Sequence, residues 1–344
     1  AGLTELGGWG ALRAATEPRF FDMWRPMSDP EFPWTGILLG APILGIWYWC
    51  TDQYIVQRVL SANGLDDARR GTIFGGFLKL LPLFIFVIPG VVAAALVSTG
   101  QLELARADHA LPEMIRTLLP VGVRGLVMAG FLAALMSSLA AVFNSCSTLI
   151  TWDVYRKLRP AAPERQLVLV GKVSTVALVG LGLAWIPFMK HISGQLYVYL
   201  QSVQAYISPP IAAVFLLGVS WKRVNRHGAA ASLATGFVLG AARLGLELTK
   251  GSTTGAFYWY ADINFLHFAA LLFVICTVVL IVVSLMTPPE PESALDGLTF
   301  ATASRGGDVT ADRLRSNPAW RRTDVVLSVL LILAVATIWL VFRG

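Results

Sequence analysis

The sequence predicts an all-α integral membrane protein. Three observations carry this: an apolar composition, eight apolar segments of spanning length, and a loop charge that alternates along the chain. Hydrophobic residues make up 56% of 344 residues and charged residues 14%, with a mean hydropathy of +0.65. Soluble domains are far more polar, so the chain is expected to have a lipid bilayer as its surroundings. The net charge of +6 then reads as loop charge, and no nucleic-acid partner is expected. Cys50, Cys146 and Cys276 lie far apart in apolar segments, an odd count that argues against a disulfide framework. The sequence holds no nucleotide fingerprint, no HExxH and no paired Cys/His metal motif. Nor does a nucleophile–base pair lie near the candidate residues below, so an enzyme is not expected.

Residues 1–32 are mixed and charged, with Glu17-Pro18 and Asp29-Pro30 as helix breakers, and predict a surface loop. The chain opens at Ala1 without Met, a basic n-region or an apolar h-region, which reads as a start internal to a longer protein. The eight predicted spans are Pro33–Leu60, Thr72–Ser98, Val121–Thr151, Gln166–Met189, Gln195–Ser220, His227–Leu248, Phe265–Met286 and Thr323–Phe342. Each is near the roughly 20 residues a bilayer requires. Leu111–Leu119 reads equally as a short surface helix or as a loop. Pro288–Arg322, containing Pro, Gly and Ser with mixed charge, predicts a flexible linker before the last span. Gly90, Gly180, Gly182 and Gly240 fall within spans, where glycine serves close helix packing.

Alternate loops hold three, five, three and five basic residues, sixteen of the chain's 27. The richest are Arg156, Lys157, Arg159, Arg165, Lys172 and Arg305, Arg313, Arg315, Arg321, Arg322. The positive-inside rule puts that side in the cytoplasm. Residues 1–32 are then extracellular, the 288–322 linker is cytoplasmic, and the carboxyl terminus returns outside.

Polar groups inside spans mark candidate sites, because hydrocarbon makes them costly. The first span carries Trp47-Tyr48-Trp49 and then Thr51, Asp52 and Gln53, past mid-span, with Gly40, Pro42 and Gly45 upstream. An interfacial aromatic belt would lie nearer a span end. The Gly/Pro set is what a discontinuous helix uses to break its ladder beside a site. Lys79 lies about two turns inside the second span; it reads as a binding ammonium or as a side chain snorkelling to the cytoplasm. Arg243 lies near an outer end, close enough to snorkel. Gln201, with Ser202 and Gln204, precedes the helix-breaking Pro209-Pro210 and reads as a ligand-binding or an interhelical amide. Ala134, Ser137 and Ser138 share one helix face through i, i+3 and i+4 spacing. That face offers two hydroxyls and a carbonyl to a hard cation, or small side chains to a packed neighbour.

These motifs also carry a resemblance. Trp47-Tyr48-Trp49-Cys50-Thr51-Asp52-Gln53, Leu78-Lys79-Leu80-Leu81-Pro82 and Leu135-Met136-Ser137-Ser138-Leu139 resemble the sodium/glucose cotransporter branch of the solute:sodium symporter family. So do Phe143-Asn144-Ser145, Tyr199-Leu200-Gln201-Ser202, Ser208-Pro209-Pro210 and Trp221-Lys222-Arg223-Val224-Asn225. The match runs in order along nearly the whole chain. It implies a LeuT-like inverted-repeat fold, with residues 33–220 as the second five-helix repeat and 221–344 as three peripheral helices. The implied activity is sodium-driven sugar symport by alternating access, for a hexose such as glucose or galactose, or inositol, in the plasma (inner) membrane. A non-transporting sugar sensor or a symporter of another small polar solute are the alternatives on the same fold. The resemblance assigns Tyr48 as an inner gate, Lys79 to sugar, and Ala134, Ser137 and Ser138 to sodium, the coupling ion; Trp49 as an aromatic face and Gln201 as a donor and acceptor are expected to bind the same sugar. Gly45, three before Tyr48, stands where the family's sugar carriers tend to have a hydrogen-bonding side chain. The first repeat, with the other half of each site, is expected on a missing amino-terminal half of the same transporter.

Overall fold

A computed structural model describes residues 2–192, 196–248, 255–302 and 318–343. The described chain is helical, apart from an isolated antiparallel bridge between Asp22 and Arg343. It divides into two compact units, one of residues 1–20 and 80–196, the other of 21–79 and 197–344.

The first predicted span is where expectation and structure part most. Among the described residues, seven helices are long and apolar enough to cross a membrane, and Pro33–Leu60 is not one of them. It is built from α1 (Trp34–Leu39), α2 (Ala41–Ile46), a π-helical turn (Trp47–Thr51) and α3 (Gln53–Leu60). The break was expected at Gly40, Pro42 and Gly45. Gly40 does divide α1 from α2, but its backbone stays right-handed helical. The true break is Asp52, with φ −72° and ψ 116°. There the Asp52 N–H reaches five residues back to the Trp47 carbonyl (3.1 Å), and its carboxylate caps α3 by accepting from the Tyr54 N–H (3.0 Å).

The other predicted spans form apolar helices, the second of them interrupted after Lys79. They are α4 (Leu65–Leu78) leading through a π-turn (Leu83–Val87) to α5 (Ile88–Ser98); α7 (Val121–Leu149); and α8 (Glu164–Ile192). After these come α9 (Leu196–Ser220), α10 (Arg226–Leu248), α12 (Phe265–Met286) and α13 (Pro318–Val341). Between them, α6 (Ala110–Leu118) is a helix, which decides the reading of 111–119, and α11 (Ala256–Asp262) is a short one. Residues 1–32 are more ordered than a loop. Two helices, Gly2–Glu5 and Trp9–Ala15, lie there, and Leu12 is fully buried. Of the 288–322 linker, residues 303–317 lie outside the described residues. Residues 288–302 fold back instead: Phe300 N–H donates to the Val219 carbonyl (2.9 Å), and Thr302 is buried.

The second unit has the tighter core. Leu44 of α2, Ala205, Tyr206 and Ala213 of α9, and Phe265, Leu266, Phe268, Ala269, Leu272 and Cys276 of α12 form one buried cluster. Gly40 sits against the Leu266 carbonyl, where a Cβ would clash, so the broken segment lies close on α12. Gly240 lies equally close on the Tyr206 carbonyl. That carbonyl is one Pro210 leaves without its helical N–H partner. Gly90, Gly180 and Gly182 have no neighbour within 4 Å of where a Cβ would sit, so the packing role predicted for them is not seen here. In the first unit, by contrast, α7 and its continuation to Leu158 bury none of their most apolar stretch, against 44% for α9.

Candidate functional site

Three of the four residues expected at a substrate site meet in the second unit. Lys79 caps the end of α4, its N–H donating to the carbonyls of Gly75 (3.0 Å) and Gly76 (3.2 Å). The helix breaks just after it because Pro82 has no N–H for the Leu78 carbonyl and its ring crowds that oxygen. Lys79 therefore stands at an interruption, roughly 13 Å of helix beyond Arg70. Its Nζ lies 5.1 Å from the Tyr48 ring centre and 5.5 Å from that of Trp49. The two rings stand edge to face, 5.7 Å apart, and the edge of Trp49 packs near Gly75. Both are within cation–π range, a favourable setting for an ammonium away from bulk water.

The π-turn is what turns Tyr48 and Trp49 toward Lys79. Its wide backbone ring admits an extra residue, and such turns gather at functional sites. Thr51 donates to the Trp47 carbonyl (2.7 Å), the oxygen that also accepts from the Asp52 N–H. Trp49 remains 37% exposed, so it offers a free aromatic face.

Gln201 lies on α9, half-buried, between Tyr199 and Ser202, both buried. Ser202 donates back to the Val198 carbonyl (2.9 Å). Among the described residues, no hydrogen bond to another helix occupies the Gln201 amide, and no hydrogen bond or ring contact joins Gln201 to the Lys79 cluster. Its donors and acceptor stay available.

The candidate cation face lies in the first unit. Ala134, Ser137 and Ser138 are on the regular stretch of α7 and exposed. Farther along, Thr148 and Thr151 donate back to the Asn144 and Ser147 carbonyls (both 2.8 Å). Ser137 and Ser138 make no such bond among the described residues. Their hydroxyl oxygens and the Ala134 carbonyl lie along one face as an oxygen-only set, the ligand type a hard cation prefers.

Arg243 departs from the snorkelling expected of it. It is 3% exposed; Nη1 donates to the Tyr260 carbonyl and Nη2 to the Ile263 carbonyl (2.6 Å). The guanidinium lies over the rings of Tyr206 and Phe268. Beside it, Tyr206 donates to Glu247 (2.6 Å). The cluster ties α9, α10 and the carboxyl end of α11 together. Sequence reasoning missed it because the carbonyls it serves belong to a short helix with no distinct motif.

Interrupted helices that bring a cation and aromatic faces together, among helices long and apolar enough to span a bilayer, define a multi-pass membrane protein. The chain belongs to the sodium:solute symporter family, whose model matches residues 11–236. It is 39% identical over 333 residues to the sodium/mannose cotransporter of Bos taurus, covering 90% of this chain and 56% of that protein. It is 40% identical over 302 residues to sodium/glucose cotransporter 1 of Oryctolagus cuniculus, covering 82% and 45%. With the sodium/myo-inositol cotransporter of Homo sapiens it shares 39% over 317 residues, covering 86% and 44%. The chain thus spans about half the length of the curated relatives it matches. Its fold is similar to that of a Na+-coupled sialic acid symporter in a substrate-bound outward-open state, with a TM-score of 0.63 at 21% identity, over 84% of this chain and 60% of that one. This is the LeuT-like fold that the resemblance implied.

Proposed function

We propose that the chain belongs to a sodium-driven symporter of a sugar, a hexose or inositol, in the plasma membrane. The observation that carries this reading is Lys79 held over Tyr48 and Trp49 at the interruption of two membrane segments. A sugar needs donors and acceptors for its hydroxyls and an aromatic face for its ring. Lys79 would donate to a hydroxyl and Trp49 would face the ring. Gln201 would both donate and accept, and Tyr48 would close the inner side. Ala134, Ser137 and Ser138 would hold sodium through oxygens alone, which suits an ion released each cycle. The relatives named for glucose, mannose and inositol support the substrate class. The rest of each site would come from an amino-terminal half of the same transporter, as the partial coverage of the relatives supports. Downhill sodium entry would then drive uptake by alternating access.

The test is uptake of radiolabelled glucose, galactose, mannose, inositol and proline by the full-length protein. A lost neutral hydrogen bond costs about 0.5–1.5 kcal/mol, more at a charged partner. Gln201→Ala should therefore weaken sugar affinity several-fold to roughly tenfold, and Lys79→Ala at least as much. Uptake of proline alone, or unchanged hexose and inositol affinity in both variants, would refute the assignment.

A further inference from the structure

We propose that the polar cavity at the turn between α7 and α8 binds the phosphoethanolamine headgroup of a membrane phospholipid. The cavity is about 580 Å³, and Asn144, Trp152, Arg156, Glu164 and Val168 are among its walls. It lies at the ends of two apolar helices, one running to Leu158 and the next beginning at Glu164, so both charges sit within a turn of a helix end, on the flank where headgroups lie.

The wall chemistry selects a zwitterion. Arg156 and Glu164 face the same space, yet among the described residues neither makes an ion pair. Arg156 instead stacks its guanidinium over Trp152 at 4.5 Å, which fixes it as a flat fork of donors suited to a phosphate. Glu164 is left as an acceptor for an ammonium. The Asn144 side-chain amide has no hydrogen bond among the described residues and adds a donor. The cavity keeps its shape because Ser147 donates to the Gly171 carbonyl (2.8 Å) across the two helices. The half-exposed flank of Trp152 and Val168 gives the lipid's glycerol end and acyl chains an apolar path outward. An anionic headgroup would meet Glu164 as a like charge. A choline headgroup would bring Glu164 no N–H donor.

The experiment is native mass spectrometry of the full-length protein after reconstitution in equimolar phosphatidylethanolamine, phosphatidylcholine and phosphatidylglycerol. Retained phosphatidylethanolamine should exceed each of the others. Arg156→Gln and Glu164→Gln should each cut it by roughly fivefold, and Arg156→Lys, which keeps the charge but loses the stacked fork, should cut it by less than Arg156→Gln. Arg159→Gln, outside the cavity walls, should change nothing. All three positions are exposed, so melting temperatures should match wild type. Equal retention of the choline lipid, preference for the anionic lipid, indifference to Glu164→Gln, or displacement by equimolar soluble glycerophosphoethanolamine would each overturn the proposal.

Discussion

A lysine and an arginine, each inside a span, reach opposite ends in this chain. Lys79 stays exposed, with two aromatic rings as its described partners. Arg243 is buried, with two backbone carbonyls and two rings around it. An ammonium held only by rings can give its N–H donors to a ligand, whereas a buried guanidinium tied to two carbonyls is structural. Arg243→Met should consequently lower thermal stability, since hydrogen bonds to a charged group contribute about 1.5–3 kcal/mol each. The measurement is the melting temperature of the purified full-length protein; an unchanged value would show that α11 does not depend on the clamp. Ser138 is the residue for the ion. Its hydroxyl has no protein partner among the described residues, so Ser138→Ala should raise the sodium concentration for half-maximal uptake at unchanged abundance. Sodium dependence identical to wild type would remove Ser138 from the proposed site.

At the scale of elements, the decisive feature is the broken segment from Trp34 to Leu60. Its position was legible because Trp47, Tyr48, Trp49, Thr51 and Asp52 cannot face lipid cheaply. Where it breaks was not. Gly40 and Pro42 signal flexibility, but Pro at the second position of a helix costs nothing, because that N–H has no intrahelical partner anyway. The break falls instead where Asp52 can cap the next helix, a short-range preference that a membrane-spanning apolar pattern hides. Asp52→Ala should destabilise α3 by about 0.5–2 kcal/mol, while Asp52→Asn, which caps as well, should be nearly neutral. Amide hydrogen exchange over residues 53–60 reports this directly. Equal protection in both variants would mean that packing alone holds α3. The depth of Lys79 was likewise readable from the Leu-Lys-Leu-Leu-Pro pattern, but its ring partners were not, since a π-turn leaves no signature in composition or period.

At the scale of the whole molecule, seven of the eight predicted spans lie close to where apolar length placed them, because in a bilayer length and hydropathy leave few alternatives. What composition does not reveal is which helix faces need a protein partner. The exposed apolar length of α7 is equally suited to lipid and to further protein, and its Ser137/Ser138 face fits the second. Orientation is the property of the whole chain that follows from sequence alone. Sixteen of its 27 basic residues fall in alternate loops, and moving them across the membrane is what the positive-inside rule disfavours. Arg156, Lys157 and Arg159 in the turn after α7 are all exposed, as that assignment requires. A cysteine introduced near Arg159, in a background lacking Cys50, Cys146 and Cys276, should react with an impermeant maleimide only from the cytoplasm. One near Asp308, which lies outside the described residues together with Lys250, should behave the same way. One near Lys250 should react only from outside, since the spans α10 and α12 flank it. Labelling in the opposite sense at all three positions would invert the chain and move the proposed phospholipid cavity to the other leaflet. Labelling of the Arg159 position from one side and the Asp308 position from the other would break the span count itself.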